Sequence, residues 1–237
     1  MIKSNSLLLF LYYVFLTVTA DHLDDGFMKF NVSKESSETC NEEFEGIKTC
    51  LTNVAVSSHQ LTTCDYKVKY NNGSEDTTIL MDKQIMLSLM EDFENASCFN
   101  SCSNCTNVKL GKHIYDALYF IGEKIYRHGF ECIRKEYQKL VVTGKHCINM
   151  IVVSGEVKDR SFNAFLPALK KVGECVVSRL NCSFIEKSAL VAATYRTVDL
   201  VDGFIHPEKM LDNIGVARFD ISMEEVSSIL SFFTSFF

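Results

Sequence analysis

Three cysteines crowd into eight residues, Cys98-x3-Cys102-x2-Cys105, and His113 follows closely. A C-x2-C pair beside a histidine is the raw material of a zinc site or a redox-active dithiol. Zinc needs a second ligand pair at comparable spacing and dithiol chemistry expects a βαβ setting; the sequence supplies neither. Spaced at i, i+4 and i+7, the three thiols instead predict one stripe of a helix, presented to neighbouring helices as the anchor of a covalent framework. His146 beside Cys147 is the only His-Cys adjacency, but a Cys-His nucleophile requires a free thiol. The other histidines, His22, His59, His128 and His206, are scattered. Asp24-Asp25, Glu42-Glu43 and Glu224-Glu225 read as helix-start or loop charge, since acid-base work needs a shared cleft. There is no H-E-x-x-H, G-x-S-x-G, phosphate-binding glycine loop or Rossmann fingerprint. The expectation is therefore no catalytic, cofactor-binding or metal-binding residue.

The compartment explains the thiols. Lys3, the apolar run Leu7 to Val18 and Thr19-Ala20 make a signal peptide pattern cleaved after Ala20. The run is too short for the roughly 20 residues a membrane-spanning helix needs. Ten cysteines, Cys40, Cys50, Cys64, Cys98, Cys102, Cys105, Cys132, Cys147, Cys175 and Cys182, are an even number in an oxidising compartment, so five bridges are expected, with connectivity beyond deduction. Five N-x-S/T sequons occur. Asn31, Asn72 and Asn95 are the glycosylation candidates, whereas Asn104 and Asn181, whose middle residue is cysteine, read as chance matches.

With 47% hydrophobic and 23% charged residues the chain buries a core, and two prolines and 11 glycines exclude collagen and Pro-rich linkers. A net charge of -6 without a basic stripe argues against nucleic acid. The division is signal peptide 1–20, polar segment 21–38, cysteine-rich helical domain 39–205 and C-terminal helical extension 206–237.

Periodicity favours helices. Phe44, Ile47, Leu51 and Val54 follow Thr39-x-x-Glu42, a capping-box pattern that starts a helix near Asn41. Tyr66, Val68 and Tyr70 alternate with lysines before an Asn-Gly turn, the mark of one short β-hairpin. A helix from about Met81 carries Met86, Leu89, Met90 and Phe93 inward and runs into the cysteine stripe; Ile114, Leu118, Ile121 and Ile125 mark the next. Phe162, Phe165, Leu169, Val172 and Val176 face inward between Ser161 and Asn181, with Pro167 either interrupting that helix or starting it. Ser183-x-x-Glu186 caps a helix with Ile185, Ala189, Ala192, Tyr195, Val198 and Val201 inward. His206-Pro207 ends it, Pro207 starts a short helix stopped at Gly215, and Ser222-x-x-Glu225 caps a last amphipathic segment. Its aromatic tail, Phe232, Phe233 and Phe236, lacks the polar spacer of a lipid anchor and reads as cover for the core or a partner. The fold class is thus a mainly α, disulfide-linked multi-helix secreted domain.

From Cys40 to about Phe204 the chain resembles the nematode family of secreted cysteine-rich modules known only as domain of unknown function number nineteen. The likeness rests on Cys40…Ile47-Lys48-Thr49-Cys50-Leu51, the Cys98/Cys102/Cys105 cluster, Phe130-Glu131-Cys132-Ile133-Arg134-Lys135 with Cys147, and the pair Cys175 and Cys182. Family members usually carry twelve cysteines; this chain lacks one near Tyr115 to Tyr119 and one after Cys182, which suits one lost bridge. The resemblance implies a secreted module and supplies no catalytic residue. Cys102 to Cys182 is also similar to the six-cysteine pattern of saposin-like lipid binders, which would join Cys102 and Cys105 to the last two cysteines and Cys132 to Cys147. The leading expectation is an extracellular module binding a protein or glycan, without a stable membrane anchor. The alternative is a small-lipid carrier using the Phe- and Met-rich interior, and a third reading is an enzyme without recognisable motif.

Overall fold

A computed structural model describes residues 38–58, 66–69, 75–78, 83–99, 103–154 and 162–215, with positions 228, 229 and 232. The expected signal peptide, Asn31, Asn72, Cys64, Cys102 and most of the aromatic tail lie outside the described residues. The helices are α1 (Glu38–Ser58), α2 (Lys83–Ala96), α3 (Thr106–Gly122), α4 (Phe130–Val153), α5 (Phe162–Arg179), α6 (Phe184–Ile205) and α7 (Pro207–Asn213), with a π-helical segment, Glu123–Gly129, joining α3 to α4. Between α1 and α2, β1 (Tyr66–Lys69) pairs antiparallel with β2 (Glu75–Thr78), Tyr66 opposite Thr78 and Lys69 opposite Glu75. The domain is mainly α and disulfide-linked, as expected, with one short hairpin.

Local chemistry places most boundaries. Ser183 caps α6 with a reciprocal box: its hydroxyl accepts the Glu186 amide while the Glu186 carboxylate accepts the Ser183 amide at 2.8 Å. Pro207 opens α7, where its missing N–H costs nothing, and Gly215 ends the run at φ +68°, a conformation glycine adopts freely. Pro167 lies inside α5 rather than at its start. Two expectations need correction. Helix α1 begins at Glu38, so Thr39 is already helical and the predicted Thr39/Glu42 box is not its cap. The cysteine stripe does not exist as a helix: α2 stops at Ala96, Ser97 takes φ +52°, and Cys105 stands at the N-cap of α3. Cys98 therefore lies in the turn that ends α2, and Cys105 at the head of α3.

Among the described residues four disulfides join eight cysteines: Cys40–Cys105, Cys50–Cys98, Cys132–Cys182 and Cys147–Cys175. The saposin-like scheme is overturned, since Cys105 bonds Cys40 and Cys132 bonds Cys182 rather than Cys147. The wiring occurs twice. In each half the third residue of a long helix, Cys40 of α1 or Cys132 of α4, closes the outer bridge, and a cysteine further along the helix closes a nested inner one. The partners form Cys-x6-Cys pairs, Cys98/Cys105 and Cys175/Cys182, each followed by a hydroxyl residue at the head of the next helix. In each half a glutamate of the long helix also accepts a hydrogen bond from the stretch just before the outer-bridge cysteine. Glu43 of α1 accepts from the Ser103 hydroxyl at 2.9 Å, and Glu136 of α4 accepts from the Asn181 amide at 3.2 Å.

Each half has its own core. Phe44, Ile47, Leu51, Leu110, Ile114, Leu200, Phe204, Met210, Leu211 and Ile229 bury together in the first. Ile125, Ile133, Leu140, Val172, Val176, Leu180, Leu190 and Ala193 do so in the second. Helix α6 serves both because it is apolar around much of its circumference, and it packs against α3, the π segment, α5 and α7. Close approach is part of the design: a Cβ on Gly173 would lie 2.4 Å from the Thr194 methyl, so only glycine lets α5 and α6 meet there.

Candidate interaction surface

The groups whose spacing suggested chemistry are dispersed or sealed. Cys147 is fully buried in its bridge to Cys175, while His146 next to it is exposed, so the pair is no nucleophile. His113 sits half-buried between α3 and α6. Burial lowers its pKa first and the neighbouring Arg196 charge lowers it further, against the smaller opposing effect of Asp116. Among the described residues no group of three His, Cys, Asp or Glu side chains could hold a metal. On the π segment Glu123 gathers Lys124 at 3.6 Å, Arg127 at 3.7 Å and His128 at 3.9 Å, which leaves its carboxylate surrounded by basic groups. Tyr126 stacks on Phe130, and burial raises its phenol to about 12, which keeps it protonated and poorly suited to serve as a base. Asn95, the one glycosylation candidate among the described residues, is exposed at the end of α2, as are Asn104 and Asn181 beside their bridged cysteines.

The surface holds what the sequence did not single out. A cleft of about 510 Å³, open to solvent, lies over the Cys132–Cys182 bridge, walled by Glu131, Arg134, Lys135, Asn181, Ser183 and Glu186. Its charges are largely committed. Glu131 accepts from Arg134 at 2.8 Å and has Lys83 at 3.7 Å, and Glu186 is held in the cap, where the Ser183 hydrogen bonds lower its pKa. Beside the cleft, Phe184 and Ile185 are 84% and 71% exposed. Ile185 was expected to face inward. The capping box fixes Ser183 as the N-cap and leaves the first helical turn outside the core, so the apolar period begins one turn later, at Ala189 and Leu190.

Apolar side chains are also exposed in the C-terminal half of α4, set among the exposed polar Lys145, His146 and Asn149. Val142 is 69% exposed and Val153 86%, and their separation of three turns puts them on one side of the helix. Met150 and Val152 flank that line and are also exposed. Opposite Val142 and Val153, Leu140, Cys147 and Ile151 face the second core. Among the described residues no helix is long and apolar enough to cross a membrane. Comparison of the chain with family models, with curated proteins and with solved structures finds no match.

Proposed function

We propose that the protein is a secreted, glycosylated, disulfide-bonded module that acts by binding an extracellular protein or glycan, and not by catalysis. The observation that carries this reading is the exposed apolar group Met150, Val152 and Val153 at the C-terminal end of α4, with Val142 exposed three turns earlier. A helix that only packs a core carries polar residues on its outer side, and a group of large apolar side chains exposed at its end marks a surface that a partner covers. Four bridges suit an oxidising compartment, and the cysteine spacing resembling a family of secreted nematode modules points the same way. The dispersed titratable groups favour recognition over turnover.

The test uses the intact chain secreted from eukaryotic cells. Glycosidase treatment should shift its mobility, and Asn72→Gln should remove part of that shift. Immobilised protein probed against extracellular ectodomains and glycans should show saturable binding that V142S/V153S abolishes without lowering Tm. Cytosolic retention, or binding indifferent to V142S/V153S, overturns the reading.

A further inference from the structure

At the head of α6 the repeated wiring differs in a way that leaves one edge open. In the first half, the residues two and three places beyond the outer-bridge cysteine Cys105 are Asn107 and Val108, each only 3% exposed. Asn107 closes the edge by donating to the Cys40 carbonyl oxygen. In the second half, the residues at the same distance from Cys182 are Phe184 and Ile185, which point to solvent. Neither lines the neighbouring cleft, whose walls are charged or polar, so the pair is a protrusion and not the floor of a pocket.

Charge and size together indicate what meets this protrusion. Around the Cys132–Cys182 bridge stand Lys83, Arg134, Lys135, Lys139 and Lys187 against Glu131, Glu136 and Glu186, five cations to three carboxylates on a chain of net charge -6. Lys135 is exposed on the cleft wall, where its charge acts on the Glu186 carboxylate. Two side chains offer far less than the roughly 800 Å² per partner that a stable protein interface buries. A convex apolar pair needs a matching pocket in a rigid partner but none in a fluid one. Two apolar side chains that enter the boundary between headgroups and acyl chains, with lysines left at the level of the phosphates, are the ordinary means of reversible lipid contact.

We propose that the Phe184-Ile185 end of α6, with Lys135 beside it, is a peripheral docking site for an anionic lipid surface. It centres on the head of α6, whereas the apolar residues assigned to a protein or glycan partner belong to α4, and it goes beyond that assignment.

The experiment is co-sedimentation of the intact secreted protein with vesicles of phosphatidylcholine alone and of phosphatidylcholine mixed with an equal part of phosphatidylserine. Wild type should sediment with the mixed vesicles only, and progressively less as salt rises. F184S/I185S should weaken that binding by at least about tenfold, the effect of withdrawing two large apolar side chains from lipid, and Lys135→Glu should weaken it as well. V142S/V153S should bind vesicles as wild type does, which separates failure of this site from failure of the α4 reading. Both substituted residues are exposed, and an unchanged Tm for F184S/I185S confirms that folding is intact. No sedimentation with mixed vesicles, equal sedimentation with both kinds, or full binding by F184S/I185S overturns the proposal.

Discussion

The side-chain amide of Asn107, at the head of α3, donates to the backbone oxygen of Cys40 in α1 at 3.1 Å, beside the disulfide that joins Cys40 to Cys105. The same amide lies 3.4 Å from the Asn41 side-chain oxygen, and the Asn107 side-chain oxygen Oδ1 accepts the Val108 backbone amide at 2.8 Å. Asn107 is buried, so water cannot replace these partners. Asn107→Leu should therefore destabilise the protein by about 1–3 kcal/mol, the desolvation cost of the polar groups it strands. Thermal melting with all bridges intact measures it, and an unchanged Tm would mean the interaction contributes nothing net.

The bridge map predicts the tenth thiol's partner. Eight cysteines are paired in two nested sets, and an oxidised chain with an even count leaves Cys64 and Cys102 for each other. Peptide mapping of non-reduced secreted protein should return the four bridges seen here and a Cys64–Cys102 peptide. Thiol titration after denaturation should find no free sulfhydryl. Two titratable thiols would instead make Cys64 and Cys102 a free pair.

Glycine substitutions should split by sign. A Cβ on Gly173 meets the stiff, hydrogen-bonded Thr194 at 2.4 Å, and one on Gly129 meets the buried Leu190 at 2.5 Å. Either alanine should cost about 1–3 kcal/mol through overpacking. Gly46 and Gly144, both helical, have nothing within 4 Å of an added Cβ. Alanine there should stabilise by roughly 0.5–1 kcal/mol, because it removes glycine's excess freedom from the unfolded chain. Equilibrium denaturation of the four variants checks both signs at once.

His113 should make stability sensitive to mild acid. Its folded pKa lies below the ordinary 6.5, so under acid the unfolded chain takes up the proton first. The contribution is complete above about pH 6.5 and declines as pH falls from there toward the folded pKa. Arg196→Gln removes the neighbouring cation and should raise the His113 pKa; nuclear magnetic resonance titration of the imidazole reads the shift directly. A His113→Gln variant should show a flatter dependence of Tm on pH across that window. A wild-type slope retained in His113→Gln would assign the effect elsewhere.

What the sequence made legible follows from signals that act locally. The Ser183/Glu186 box, the Pro207 start and the Gly215 stop depend on a few neighbouring residues, and all three stand where expected. Ile114, Val172 and Val176 are fully buried, as their helical spacing requires. The Cys98-to-Cys105 stretch failed because three thiols at helical spacing do not form a helix on their own: its end cysteines are bound to Cys40 and Cys50, and tertiary bonds outrank propensity. Helix α4 is hard to read from the sequence because Val142, Met150, Val152 and Val153 add exposed apolar residues to the buried ones, which blurs the period. Phe184 and Ile185 were hidden for a related reason. Their apolar character fits a core, and only the three-dimensional position of the cap turns them outward.

The π-helical segment, seven residues from Glu123 to Gly129, carries a geometric duty of its own. Its wider turns absorb about one residue more than an α-helix of the same rise, and each residue of an α-helix is worth about 100° of rotation. It therefore acts as a phase shifter on a rod shared by both halves, resetting the azimuth of α4 so that Cys132 arrives opposite Cys182. Selection on this stretch would then fall on its residue count before its side chains, since a gain or loss of one residue would dial the second half's sulfur atoms out of reach.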